Sequence, residues 1–329
     1  MDTTFWKDKV ILVTGAAGFV GSNLVEELLA ANAKVRAVDF LIRGRTANLA
    51  TVMDRIEFSR ADLSEIRICE SLCDGADVVF HLAARVAGIA YNSTHPATML
   101  NDNIALSSNM IEAARRETVP RFLCVSSPLV YPKNAPVPTP EDVGLSGEPE
   151  EAHYGYAWAK RLAEIQAKAY FLQYGLKVSI VRPYNIYGPR DDFSIETGHV
   201  IPALIVKAAE SKDVMKVLGD GSQIRSFIHV RDVARAMMAA VERYTVAKPV
   251  NLATREEISI GALARRIISL VGNNLRIEFD ASAPAGVPRR VADTTRLEQE
   301  VGYIPEVTLE EGLGETVDWY LKNGGKRSS

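Results

Sequence analysis

Val10-Ile11-Leu12-Val13-Thr14 is a short apolar, β-rich run that leads directly into Gly15-Ala16-Ala17-Gly18-Phe19-Val20-Gly21. From Ser22 to residue 31, apolar residues then recur at helical spacing. Strand, glycine turn and helix in that order leave few folds open. A buried parallel strand needs a crossover to reach its neighbour, so the run predicts the first unit of a parallel α/β sheet. It also predicts a ligand. Amides bare of side chains let a pyrophosphate approach, and the positive end of the helix favours its charge. A turn shaped by packing alone is the alternative. The spacing, the context and the place near the N-terminus favour a dinucleotide, with Gly15, Gly18, Phe19, Val20 and Gly21 as cofactor-binding residues.

The segments that follow keep the alternation. Residues 34–38 form a second strand ending at Asp39, about 20 residues past the glycines, where a carboxylate binds the adenosine ribose hydroxyls and repels a 2′-phosphate. NAD is therefore expected, while Arg43 and Arg45 keep NADP possible. Residues 56–58 and 77–81 read as third and fourth strands. Asp62 and Leu63 would then border the adenine, and Leu82, Ala83 and Ala84 the pyrophosphate, where small residues permit close approach. His81 and His95 read as the ends of elements. Residues 97–116 show helical spacing, and Asn103 on that helix is expected to hold a reactive lysine or tyrosine by hydrogen bonds.

Residues 121–125 form a fifth strand that runs into Ser126 and Ser127. Ligands of open parallel sheets lie beyond the strands' carboxyl ends, so these serines stand where chemistry should occur. Residues 132–151 read as an ordered loop. The helix after it carries Tyr156 and Lys160, four apart and so on one face. A free phenol ionises near pH ~10 and a nearby ammonium favours the phenolate, which lets such a tyrosine move protons at neutral pH. Two surface residues would often show the same spacing, so the pair gains meaning from its company. Residues 177–182 give a sixth strand, with Pro183 at its exit.

Beyond residue 185 the alternation fades into shorter mixed elements. The expected architecture is a Rossmann-type doubly wound parallel sheet, residues 1–185 with 227–252 returning to it, and a smaller mixed α/β lobe, 186–329, that binds substrate. Arg225 and Arg289 suit a diphosphate clamp, because guanidinium groups match phosphate geometry. The chain has 329 residues, 47% hydrophobic and 24% charged, with a net charge of −3. That balance offers no general attraction to nucleic acid or anionic membrane. Cys69, Cys73 and Cys124 are an odd number without a repeated metal spacing, so reduced cytoplasmic thiols and no metal site are expected. Neither a signal peptide nor a membrane span is expected.

Taken together, Gly15-x-x-Gly18-x-x-Gly21, Ser127, Tyr156-x-x-x-Lys160 and Arg182-Pro183-Tyr184-Asn185 resemble the extended short-chain dehydrogenase/reductase family that acts on nucleotide sugars. Tyr131-Pro132-Lys133, Asn185-Ile186-Tyr187-Gly188-Pro189, His199-Val200-Ile201-Pro202 and Val287-Pro288-Arg289-Arg290 are most similar to GDP-L-fucose synthases, then to GDP-mannose 3,5-epimerases. The resemblance implies that Tyr156 is the acid/base at the sugar C4 oxygen, with Lys160 lowering its pKa and binding the nicotinamide ribose. Ser127 would share that oxygen, and His199 would be an acid in 3,5-epimerisation. Asn185, Val200, Arg225 and Arg289 would bind the nucleotide sugar, and a homodimer is implied.

Two departures narrow the chemistry. Leu129 stands where fucose synthases and 3,5-epimerases carry the cysteine base, and Pro128-Leu129 stands where 4,6-dehydratases carry Asp-Glu. What remains is hydride transfer at C4. A redox-neutral NAD-dependent epimerase is the main expectation and an NAD(P)H-dependent ketosugar reductase the alternative. A non-catalytic cofactor sensor is disfavoured by the intact Ser127, Tyr156 and Lys160.

Overall fold

The computed structural model describes residues 3–195, 197–282 and 287–324. In chain order the first half runs β1 (Val10–Thr14), α1 (Phe19–Ala30), β2 (Lys34–Asp39), β3 (Ile56–Arg60), α2 (Ile66–Cys73), β4 (Val78–His81), α3 (Ile89–Thr94), α4 (Pro96–Arg116), β5 (Arg121–Val125), α5 (Tyr154–Tyr174) and β6 (Lys177–Pro183). The second half contributes β7 (Ile186–Tyr187), α6 (Val200–Glu210), β8 (Val214–Leu218), β9 (Ile224–Ser226), β10 (Ile228–His229), α7 (Val230–Arg243) and β11 (Val246–Leu252). The chain closes with β12 (Glu257–Ser259), α8 (Ile260–Val271), β13 (Arg276–Asp280), β14 (Arg289–Arg290) and α9 (Leu309–Asn323).

Seven parallel strands form one sheet in the order β11-β6-β5-β4-β1-β2-β3, the Rossmann arrangement. Both faces are covered, which explains why the strands read as unbroken apolar runs. On β1, Ile11 and Val13 join a core with Leu24 and Leu28 of α1 and Met237 of α7. Leu12 points the other way, into a core with Cys69, Met110 and Ala163 from α2, α4 and α5. A third core gathers Tyr187, Leu204, Val217, Leu263 and Leu313 from the second half. Two helical stretches differ slightly from expectation: α1 begins at Phe19, inside the glycine motif, and a short α3 precedes the long α4. The third strand also continues two residues past 58.

Strand order reverses between β1 and β4, and open sheets bind ligands in the crevice beyond the carboxyl ends at such a point. The glycine turn lies there. Gly15 takes φ +70°, and a Cβ on Gly21 would stand 2.1 Å from the Gly15 carbonyl oxygen. The helix can therefore meet the strand this closely only without a side chain at 21. Gly21→Ala should lower stability by about 1–3 kcal/mol, the usual cost of forcing a group into a packed site. Chemical denaturation of both proteins checks this.

Candidate active site

Helix α5 carries the central pair. Lys160 is 4% exposed, and its Nζ donates to the Val125 carbonyl oxygen at 2.8 Å while standing 5.6 Å from the centroid of the half-buried Tyr156 ring. The ammonium is thus fixed at the end of β5, against the face of the tyrosine. One turn later, Glu164 accepts a short hydrogen bond from the Ser126 hydroxyl. The next residue, Ser127, is buried, and its Oγ accepts from the Leu129 amide at 3.2 Å. Its own hydroxyl proton stays available to a ligand. Tyr156, Lys160 and Glu164 follow one another at four-residue spacing, so one helix face presents the tyrosine and grips residues 125 and 126.

Glu164 is held in turn by Arg182 of β6, in a two-pronged pair of 2.8 and 2.6 Å between groups only 3% and 1% exposed. Arg161, on a neighbouring face of α5, donates to the Val130 carbonyl oxygen at 2.8 Å and to that of Gly147 at 2.7 Å. The loop of residues 132–151 is tied down at both ends.

Around the glycine turn, the first turn of α1 has no side-chain cap, which leaves its amide end open to an anion. Asp39 supports the turn from the end of β2: its carboxylate accepts from the Ala17 amide at 3.0 Å and the Leu41 amide at 2.7 Å. Arg43, which with Arg45 kept a 2′-phosphate possible, pairs with Asp192 at 2.7 Å, while Arg45 is exposed. Asp62 accepts from the Ser64 amide at 2.9 Å and Leu63 is buried. Thr14 receives the Ala83 amide at 3.1 Å and contacts His81 Nδ1 at 2.9 Å, fixing the segment Leu82-Ala83-Ala84. Burial, followed by the nearby Lys160 charge, pushes the His81 imidazole down to about 3, so it is neutral. His81 is therefore the pin of this segment rather than a mere strand end. An apolar run closing on a histidine beside a threonine-ended strand was its one signal.

Two expectations are corrected by side-chain geometry. The Asn103 amide is occupied by Arg85, accepting from its N–H at 3.0 Å and donating to its carbonyl at 3.1 Å, with a third bond of 2.8 Å to Met99. It therefore holds the segment after β4, not Lys160 or Tyr156. Arg289 forms a two-pronged pair with Glu257 at 2.9 and 2.6 Å. The arginine in register with Arg225 is Arg290, because β14 lies parallel to β9. Neighbours in register share a sheet face, so Arg290 joins Arg225 and Arg289 faces away. Burial first, then Arg290, disfavours the charged form of Arg225; a bound anion would relieve both. Asn185, at φ +25°, donates to the Ser226 carbonyl at 2.8 Å and links the exit of β6, beyond the buried Pro183, to β9.

His199 sits apart, at the start of α6 beside exposed Val200. Its side chain is 68% exposed, and Nδ1 meets the buried Asp191 carboxylate at 3.2 Å. That hydrogen bond is the main reason its pKa is raised. A raised folded pKa stabilises the protein below the unfolded value, and that contribution is lost as pH rises through the folded value. Asp191→Asn should bring the His199 titration back toward about 6.5. Proton NMR of the imidazole against pH reads the shift, and an unchanged titration would refute the assigned cause.

A sequence profile of the NAD dependent epimerase/dehydratase family matches residues 11–253. GDP-L-fucose synthase 1 of Arabidopsis thaliana is 33% identical over 323 residues, covering 96% of this chain and 94% of that protein. The dTDP-4-dehydro-6-deoxy-D-allose reductase of Streptomyces bikiniensis is 33% identical over 319 residues, covering 96% and 97%. Among solved structures, UDP-glucose 4-epimerase of Thermotoga maritima with UDP-glucose matches with a TM-score of 0.85 at 29% identity, over 95% of this chain and 99% of that one. The dTDP-glucose 4,6-dehydratase DesIV of Streptomyces venezuelae with NAD bound gives a TM-score of 0.82 at 27% identity, over 96% and 98%. The open amide end of α1, the close glycine packing and these matches agree: the chain belongs to the NAD dependent epimerase/dehydratase family, within the extended short-chain dehydrogenases/reductases, and its cofactor is a nicotinamide dinucleotide.

Proposed function

We propose that this chain is an NAD(P)H-dependent reductase of a nucleotide-linked 4-keto sugar, acting at C4 without epimerising C3 or C5. The C4-epimerase expectation gives way to this alternative because curated relatives matched across nearly the whole chain are named GDP-L-fucose synthase and dTDP-4-dehydro-6-deoxy-D-allose reductase. One observation carries the stereochemical part: Leu129, two residues after Ser127 and bonded to it through its amide, stands at the sequence position of the cysteine base in the fucose synthases that the chain resembles. Cys124 does not replace that base, since burial pushes its thiol up to about 12.

On this reading the glycine turn and the α1 amides hold the cofactor pyrophosphate, Asp39 the adenosine ribose hydroxyls, and Lys160 the nicotinamide ribose. The cofactor, when bound, supplies hydride. The Tyr156 hydroxyl gives its proton to the sugar C4 oxygen, and Ser127 donates a hydrogen bond to the same oxygen. The Lys160 ammonium, fixed by the Val125 carbonyl, balances the negative charge left on the tyrosine. Arg225 and Arg290 clamp the diphosphate, with Asn185 and Val200 lining the nucleotide-sugar path. Asp191 favours the protonated form of His199, and Leu129 would give it no partner base.

Two copies pair through α5, whose Leu162, Ile165 and Leu172 are exposed large apolar residues at helical spacing. Sedimentation should show a dimer, and Ile165→Glu with Leu172→Glu should shift it to monomer; a wild-type monomer would refute this. For the reaction, enzyme with GDP-, dTDP- and UDP-linked 4-keto-6-deoxy sugars should oxidise one equivalent of NADH or NADPH per sugar reduced. In deuterated water the product should carry little deuterium at C3 or C5. Isomerisation without added reductant would restore the epimerase reading, and rapid labelling at both carbons would show that Leu129 had been misjudged.

A further inference from the structure

The strand that presents Arg290 is not left to itself. Just past it, the Thr139 amide donates to the Val291 carbonyl at 2.9 Å and the Asp293 amide to the Thr139 carbonyl at 3.0 Å, with an isolated parallel bridge between Thr139 and Ala292. Both sides of this stitch are fastened to one side chain. Asn251, near the carboxyl end of β11 and fully buried, donates through Nδ2 to the Thr139 carbonyl at 3.0 Å and the Asp293 carbonyl at 3.1 Å. Its Oδ1 accepts from the Tyr131 hydroxyl at 2.5 Å, and its main-chain N–H donates to Glu141 at 3.0 Å. Leucine would fill a similar volume without the cost of desolvating an amide, so packing alone does not explain a carboxamide here.

The path continues beyond Tyr131. Arg182 Nη1 donates to the Tyr131 oxygen at 2.8 Å, and Arg182 is the partner of Glu164 on α5. An unbroken series of hydrogen bonds, buried up to its last, part-buried link, thus joins the helix of Tyr156 and Lys160 to the backbone three residues after Arg290. Asn251 is the junction where the two halves of that series meet.

We infer that Asn251 is a positioning residue for the substrate diphosphate. It holds residues 291–293 so that Arg290 stays beside Arg225, in one frame with α5. The inference rests on the reading of Arg225 and Arg290 as the diphosphate clamp. Because Asn251 acts through Arg290, its loss weakens nucleotide binding, while the glycine turn, braced separately by Asp39 and reached by none of these hydrogen bonds, keeps its hold on the dinucleotide.

The test compares the full chain with Asn251→Asp, which keeps the acceptor for Tyr131 and removes both donors. GDP, UDP and dTDP are titrated by calorimetry, and NADH by fluorescence. The nucleoside diphosphate that the wild type binds best should bind about tenfold more weakly to the variant, the scale of a lost buried hydrogen bond, with NADH affinity kept within about twofold. In an Arg290→Ala background the same change should cost nothing further, as required of a residue acting through its partner. Unchanged nucleotide affinity, an equal loss of NADH affinity, or an undiminished further loss without Arg290 each overturns the inference. Should the variant not fold, Tyr131→Phe removes the hydroxyl that orients the Asn251 amide and keeps the ring. It should weaken the nucleoside diphosphate about threefold at unchanged NADH affinity, and no loss would overturn the inference. A wild type that binds none of the three nucleotides defeats the proposed substrate class and this inference with it. A wild type that binds one, beside a variant that binds it equally, defeats the inference alone.

Discussion

A carboxylate and a guanidinium, Glu164 and Arg182, meet with both prongs in the protein interior, out of reach of water. Neither charge is tolerable there without the other: removing one partner of such a pair typically costs about 3–5 kcal/mol, because the survivor is left uncompensated. The pair therefore dictates where its neighbours go. Ser126 must offer its hydroxyl to Glu164, and Tyr131 must receive Arg182. A helix, a strand and a long loop consequently share one origin. A hydrophobic replacement could be as stable, yet it would hold none of these directions.

The same helix explains why the chemistry is narrow. Lys160 spends a hydrogen bond on the Val125 carbonyl, so its charge is anchored beside Tyr156 rather than free to reach solvent. That arrangement serves proton transfer to oxygen. On the proposed reading, proton removal from carbon would need a base on the sugar's flank, which neither Leu129 nor the neutral, buried Cys124 would supply. On the proposed reading, the enzyme keeps the half of fucose-synthase chemistry that delivers hydride and loses the half that inverts carbon centres.

The parallel sheet, its glycine turn and the Tyr156 helix were legible because each is a local pattern: apolar runs, a fixed glycine spacing, two residues one turn apart. The errors came from direction rather than location. Arg289 and Arg290 are adjacent in sequence, and a shift of one residue reverses the sheet face, so only the pairing of β14 with β9 decides which meets Arg225. Asn103 lay on the predicted helix, but a neighbouring backbone claimed its amide first. His81 gave only the faint signal of an apolar run closing on a histidine, and Asn251 none, since a buried polar group is recognised by its partners, and those lie far away along the chain.

Asp39 has a consequence for any attempt to change the cofactor. Its two oxygens brace Ala17 and Leu41, so the residue that on the proposed reading would discriminate between dinucleotides is also a strut of the glycine turn. Swapping it for a neutral side chain to admit the bulkier, more charged relative would slacken the grip on both. On that reading selectivity would be bonded into the scaffold, and redesign would have to rebuild the brace before it could redirect the preference.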